Sequence, residues 1–516
     1  MAAIKENHSD LKARYARAAL SSSVSGTASQ VLYGLTPVLV ARQLGPRDYG
    51  VYSIVMSLVA IVTGLVSLGQ NSMLHKLLPE YSVKDRETGG AILANTVVIT
   101  AGVLMMLCAG LLAASGWLAA DVYREASLTG VFRWAVFATL MMALFNLASS
   151  VVAGLQDFGS YNFGLLARSV ALIGLVWMGV QWFGLAGAIA GQVLASLLGL
   201  AWMAARGWPL ALKRFPGLVQ PSFSRPVLRV MADFTLPTLL MTLLNLPAYW
   251  WISTLIARHA GFAEAGHFSV AYTIAQLIFL LPLNFYTPAM TFLSEAHSSG
   301  QMAEDGTGGA GAELFRDLVG TNLRWLWALT LPLALGGALA ASLVIATLFG
   351  AAYATAVPAA FVMSLAALLM VNTGLLNTAI IAAGHTWQGC GIALAWAVVF
   401  VIGGLICIPR WGAMGGAAAF TLSQVFYFAG VYLYAQGVLR MTSDGLGRLA
   451  MLTALSGAAA VFITFSFQGS AFYFAATLLL LGVIFTEWMW VGVETERERL
   501  RQMASGIAGN LRASFV

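Results

Sequence analysis

Charge is what this chain is short of. Only 9% of its 516 residues are Asp, Glu, Lys or Arg, whereas 59% are hydrophobic and the mean hydropathy is +0.82. A soluble core of this length could not hide so much apolar surface, so the chain needs lipid as its solvent. Cysteine is scarce as well: Cys108, Cys390 and Cys407 all lie inside apolar stretches, which points to no disulfide and no metal site. Of 21 acidic residues, only Asp233 and Glu487 lie at or within an apolar stretch. An enzyme that builds or breaks glycosidic bonds would hold a carboxylate or metal cluster there. The sequence has no phosphate-cradling glycine loop with Lys-Ser/Thr and no His-Glu-x-x-His. ATP hydrolysis and zinc chemistry are therefore excluded, no cofactor is expected, and the chain is not expected to be an enzyme.

What is present is apolar length. About fourteen stretches are long enough to cross the hydrocarbon of a bilayer as helices, the one open-chain structure that satisfies its own backbone there. The sparse basic residues give these stretches a direction. With the N-terminus in the cytoplasm, 20 Lys and Arg fall in inside loops, six fall in outside loops (Arg42, Arg47, Arg124, Arg133, Arg258 and Arg410), and Arg168 lies within a span. That bias predicts a multi-pass membrane protein with both termini cytoplasmic. The polar, basic residues 1–17 carry no cleavage-type motif and read as a cytoplasmic start. The net charge of +6 is then an orientation signal and an attraction for anionic membrane lipids; it does not argue for nucleic acid.

Two blocks repeat. Val40-Ala41-Arg42, Gly45, Asp48 and Gly50-Val51-Tyr52-Ser53 align without a gap on Ile256-Ala257-Arg258, Gly261, Glu264 and Gly266-His267-Phe268-Ser269, at a constant offset of 216. Asn146–Gly154 resembles Asn377–Gly384, and Phe183–Ala190 resembles Trp411–Ala418. The expected fold is an all-α integral membrane protein with two six-helix lobes related by duplication. Residues 1–205 form the first lobe, 206–229 a basic cytoplasmic linker, and 230–440 the second lobe. Two extra spans occupy 441–493, and an amphipathic cytoplasmic tail occupies 494–516. Repeats of this kind place a substrate site at their interface near the midplane and let one half rock against the other.

Polar residues at helical spacing mark where such a site would lie. Thr235, Thr238, Thr242, Asn245 and Tyr249 share one helix face, and Ser22, Ser29 and Tyr33 recur at matched positions of the first span. Such a stripe belongs at a seam or in a wet cavity, not in lipid. Asn71, Asn146, Gln276 and Asn377 extend the hydrogen-bonding lining, and Arg168 either snorkels to the surface or clamps a phosphate. Arg17 and Asp233, at the same repeat position, are candidates for an inner gate. Lys76 and Arg324 are candidates for guiding an anionic head group, and Arg42 and Arg258 for an outer gate. The plainer reading of the inner gate is an Arg229–Asp233 pair on one helix, that of Lys76 and Arg324 an interface anchor, and that of Arg42 and Arg258 a loop charge.

A family resemblance adds to this. Leu39 to Ser53 (LVARQLGPRDYGVYS), Ser67-Leu68-Gly69, Leu77 to Tyr81 (LLPEY), Leu348 to Tyr353 (LFGAAY) and Gly412 to Ala418 (GAMGGAA) resemble signatures of the bacterial polysaccharide transport branch of the multidrug, oligosaccharidyl-lipid and polysaccharide (MOP) exporter superfamily. The resemblance implies a MATE/MOP-like bundle that flips a polyprenyl-pyrophosphate-linked glycan in the manner of Wzx-like O-antigen flippases. Membrane lipids, a polysaccharide polymerase and chain-length proteins are the partners it implies. The rival within the same fold is a multidrug or cation antiporter. Such antiporters often use a carboxylate buried in an early helix, where this chain has serines and Gln30.

Overall fold

A computed structural model of the chain describes residues 2–67, 70–215, 221, 223–225, 247–302, 309–438 and 446–492, and among these there is no β-strand. Seven of the described helices are long and apolar enough to span a membrane, or eight when Phe315–Leu339 and Ala341–Phe349, bent by 65°, count as one broken span. These numbers are smaller than the count of apolar stretches in part because glycines join helices end to end, and in part because residues 226–246 lie outside the described residues and Ala471–Glu487 is a shorter apolar helix. Ala2–Ser67 is interrupted at Gly45, Phe158–Arg214 at Gly184 and Thr386–Val438 at Gly412.

The breaks at Gly184 and Gly412 fall at positions paired by the sequence repeat, and their backbones match: φ 55°, ψ −132° at the first and φ 53°, ψ −127° at the second. Positive φ of this kind is open to glycine and strained for other residues. Each break folds its helix back on itself. A side chain on Gly187 would strike the backbone of Gly179, and one on Gly415 would strike the backbone of Cys407. Both contacts join residues five before and three after the turning glycine. Small residues are what let the two arms approach so closely.

Other boundaries are set by side-chain caps. Asp85 opens Arg86–Trp117 by accepting from the amides of Glu87 and Thr88, and Asp157 opens Phe158–Arg214 by accepting from the Ser160 amide. The chain falls into two compact units. The first comprises Met1–Val270, Leu348–Tyr353 and Gly404–Gly416. In it, helix Phe158–Arg214 packs on both Ala2–Ser67 and Thr129–Gly154. The second unit comprises Ala271–Thr347, Ala354–Gly403 and Ala417–Val516. Its core joins Gly309–Leu339, Val357–Ala382 and the last two helices, Leu446–Ser466 and Gly469–Gly492, around Leu326, Trp327, Leu375 and Ala460.

Candidate functional site

Within the first unit the two copies of the repeated motif touch each other. Ser53 and Ser269, paired at the offset of 216, have their hydroxyl oxygens 2.7 Å apart. Ser53 also donates to Gly50 O at 2.9 Å, and Ser269 Oγ lies 2.8 Å from Ala265 O. A Cβ on Gly50 would strike Phe262 O, and a Cβ on Gly266 would strike Pro46 O. Equivalent residues meeting each other is the signature of a local two-fold contact, here made between halves of one chain.

Two buried tyrosines tie the contact together reciprocally. Tyr353 donates its hydroxyl to Ala41 O at 2.8 Å and meets the Tyr49 ring edge-on at 6.2 Å. Tyr123 lies 2.8 Å from Thr254 Oγ1 and packs on Phe262 at 5.9 Å. Each tyrosine follows a short helical turn, Ile345–Phe349 or Leu118–Val122, and reaches the other copy of the motif. Sequence reasoning had not singled out either residue for a role, although Tyr353 closes the LFGAAY run. The outer-gate candidates Arg42 and Arg258 are exposed beside this contact, one residue beyond Ala41 and Ala257.

Arg168 is the other focus of the first unit. Its side chain is buried, so it does not snorkel. The guanidinium carbon lies 4.6 Å from the Phe145 ring centre and 5.8 Å from that of Tyr33, within reach of cation–π attraction. Nη2 approaches Ser196 Oγ at 3.4 Å, while Nε is buried without a hydrogen-bond partner. Among the described residues no carboxylate pairs with it. Gln192, one turn from Ser196 on the same helix, is also buried and leaves Nε2 without an acceptor. Two unused donors and one full charge in a dry setting suit an anion, because each donor left unmade costs about 1–3 kcal/mol.

The remaining candidates divide. Tyr33, with its rim exposed, is brought to Arg168, whereas Ser29 is buried on the same helix. Tyr249 stacks on Phe268 at 5.8 Å, on the motif side of the first unit. The carbonyl of Asn146 is occupied by the hydroxyls of Ser149 and Ser150. In the second unit Gln276 donates to Tyr272 at 3.1 Å, Asn377 has a buried Oδ1 without a partner, and Arg324 donates to Thr321 at 3.2 Å. Thr235, Thr238, Thr242, Asn245 and Asp233 lie outside the described residues, as do the side chains of Ser22, Asn71, Arg17 and Lys76. No group of three His, Cys, Asp or Glu placed to hold a metal occurs among the described residues.

Comparison with known proteins places this geometry. Residues 39–358, more than half of the chain, match the Polysaccharide biosynthesis protein family. The EPS I polysaccharide export inner membrane protein EpsE of Ralstonia solanacearum is 25% identical over 395 residues, covering 74% of this chain and 85% of that protein. Among solved structures, the lipid II flippase MurJ in an inward closed conformation is similar with a TM-score of 0.70 at 12% identity, over 90% of this chain and 97% of that one. An inward-facing multidrug resistance MATE transporter of the MOP superfamily is similar with a TM-score of 0.68 at 14% identity, over 80% and 94%. The chain thus shares the fold of these two solved structures. With its multi-pass helices, its paired motif and a match across more than half of its length, the chain belongs to the Polysaccharide biosynthesis protein family.

Proposed function

We propose that the chain moves an anionic, polyprenyl-pyrophosphate-linked glycan across the bacterial inner membrane by alternating access, as a Wzx-like flippase. The observation that carries the anionic cargo is Arg168, a buried guanidinium with no carboxylate partner among the described residues and with Nε unused. A diphosphate head group offers the acceptors that Arg168 and Gln192 lack, and glycan hydroxyls suit amides such as Asn146 and Asn377. In this reading fourteen spans form two six-helix lobes and a terminal pair, with both termini cytoplasmic. The paired motif around Gly50 and Gly266 is the outward seal, and it parts when cargo leaves while the polyprenyl tail stays in lipid. Similarity to a polysaccharide export protein and to a lipid II flippase supports this cargo.

A second reading, a multidrug or cation antiporter, draws more directly on similarity to several solved MATE transporters. Both readings share alternating access and differ in cargo charge. The separating experiment is Arg168→Ala, with Arg168→Lys beside it, assayed for glycan export and for organic-cation efflux at equal protein levels. Loss of one charge-assisted contact of about 1.5–3 kcal/mol lowers export roughly tenfold or more, with partial rescue by lysine. Full export by Arg168→Ala would overturn the anionic cargo. Cation efflux by the wild-type chain would establish the second reading.

A further inference from the structure

Glu487 is the carboxylate that neither reading uses. Ala476, Leu480, Val483 and Glu487 follow one another at spacings of four, three and four along Gly469–Gly492, so they share a face. Ala476 and Val483 are buried in the cluster that this helix shares with Leu323, Leu326 and Trp327 of Gly309–Leu339 and with Leu449 and Ala460 of Leu446–Ser466. Glu487 takes the next place in that stripe, where an apolar residue would be expected, and is only 3% exposed. Its Oε1 is buried and has no hydrogen-bond partner.

Nothing described neutralises it. The charged residues of the helices packed against it are Glu313, Arg316, Asp317 and Arg324 on Gly309–Leu339 and Arg448 on Leu446–Ser466. Among the described residues no Lys, Arg or His forms an ion pair with Glu487. Arg324 turns to Thr321, and Arg448 is exposed. The last two helices are joined by Phe467 and Gln468, and both Glu487 and Arg448 stand 18 residues from that turn, near the opposite end of the helix pair. A proton can therefore reach Glu487 from the aqueous face beside it. An ionised carboxylate without a partner is far more costly in such a place than the neutral acid.

We propose that Glu487 is a reversible proton-binding site, loaded in the conformation described, through which a proton gradient can act on the transporter. The step is a protonation alone: a proton from water adds to a carboxylate oxygen, and it returns to water when the face is exposed. Among the described residues Glu487 belongs to no group of three or more metal-ligating side chains, and a lone carboxylate suits a proton better than a metal cation. The site lies beyond residue 358, where the family match ends, and its test does not depend on the cargo.

The experiment treats the full-length protein in lipid vesicles with the apolar reagent dicyclohexylcarbodiimide and reads the adduct by peptide mass spectrometry. The reagent takes the acid's proton on nitrogen as a carboxyl oxygen bonds to its carbon, so it marks protonated, lipid-accessible carboxyls. Glu487 is expected to be labelled, increasingly as the pH falls and independently of sodium, with the adduct lost in Glu487→Gln. Absence of label at every pH, or equal labelling by a water-soluble carbodiimide, would overturn the site. Protection by sodium would overturn the proton as its ligand. The main readout is on the wild-type chain, so misfolding of the variant would not blunt it.

Discussion

The stretch from Ala41 to Ser53 and its counterpart from Ala257 to Ser269 meet through matched residues but are locked differently. In the second copy, Glu264 Oε2 accepts the amide of Ala413 at 2.9 Å, the first residue past the turn at Gly412, and Oε1 lies 3.2 Å from His267 Nδ1. A carboxylate at the start of a helix is stabilising there through the exposed amides and the helix dipole. The first copy has Asp48, one methylene shorter, and Val51 in place of the histidine. Asp48 makes no hydrogen bond among the described residues, so nothing equivalent holds Leu185 past Gly184. A duplicated motif has thus kept its contact surface while its acidic position is used differently: Glu264 of the second copy holds the turn after Gly412, whereas the first copy is anchored through Arg47, which pairs with Glu125.

The largest effect should come from breaking the shared surface. Gly50→Val or Gly266→Val drives a side chain into the opposing backbone, and overpacking of this kind costs about 1–3 kcal/mol or more. Thermal unfolding is expected to move to clearly lower temperature for both. Gly102→Ala, in open space on an exposed helix face, should be neutral or stabilising. Equal behaviour of all three would mean that the close approach carries no load.

Next come the tyrosines. Tyr353→Phe leaves the Ala41 carbonyl without its donor in a buried place, at about 1–3 kcal/mol. Tyr123→Phe costs less, about 0.5–1.5 kcal/mol, because the Thr254 hydroxyl can turn to a carbonyl of its own helix. Denaturation midpoints of the two variants test that order, and a reversed order would mean that the reciprocity is only geometric.

The smallest effect isolates the asymmetry itself. Glu264→Gln removes a charge at a helix start, for about 0.3–1 kcal/mol, while Asp48→Asn should change stability by less than can be measured. A double-mutant cycle against Ala413 is impractical because the acceptor is paired with backbone, so the comparison rests on the two single variants. Equal losses would erase the distinction between the copies.

Much of this was legible in residues. The offset of 216 pairs Ser53 with Ser269, and the resemblance around Gly184 and Gly412 pairs two turns whose backbone angles agree within a few degrees. A repeat in sequence says that two segments share a conformation; it does not say that they touch. That contact, and the reach of Tyr353 across 312 residues to Ala41, depend on how the helices are assembled, which no local pattern encodes. The same limit applied to Arg168. Its position about one turn inside a span suited either snorkelling or burial, and the deciding partners, Phe145, Tyr33 and Ser196, come from three other parts of the chain. Long apolar runs exposed the membrane class directly, and the matched glycines at Gly184 and Gly412 marked where one helix ends and the next begins.

Whether the paired motif must part for transport is best tested by fastening it. Ser53→Cys with Ser269→Cys, in a chain whose Cys108, Cys390 and Cys407 are replaced by alanine, sets two thiols at positions where the serine oxygens are 2.7 Å apart. Oxidation is expected to form the disulfide readily and to stop export, and reduction to restore it. Undiminished export by the fully crosslinked protein would contradict the seal and the alternating-access reading built on it.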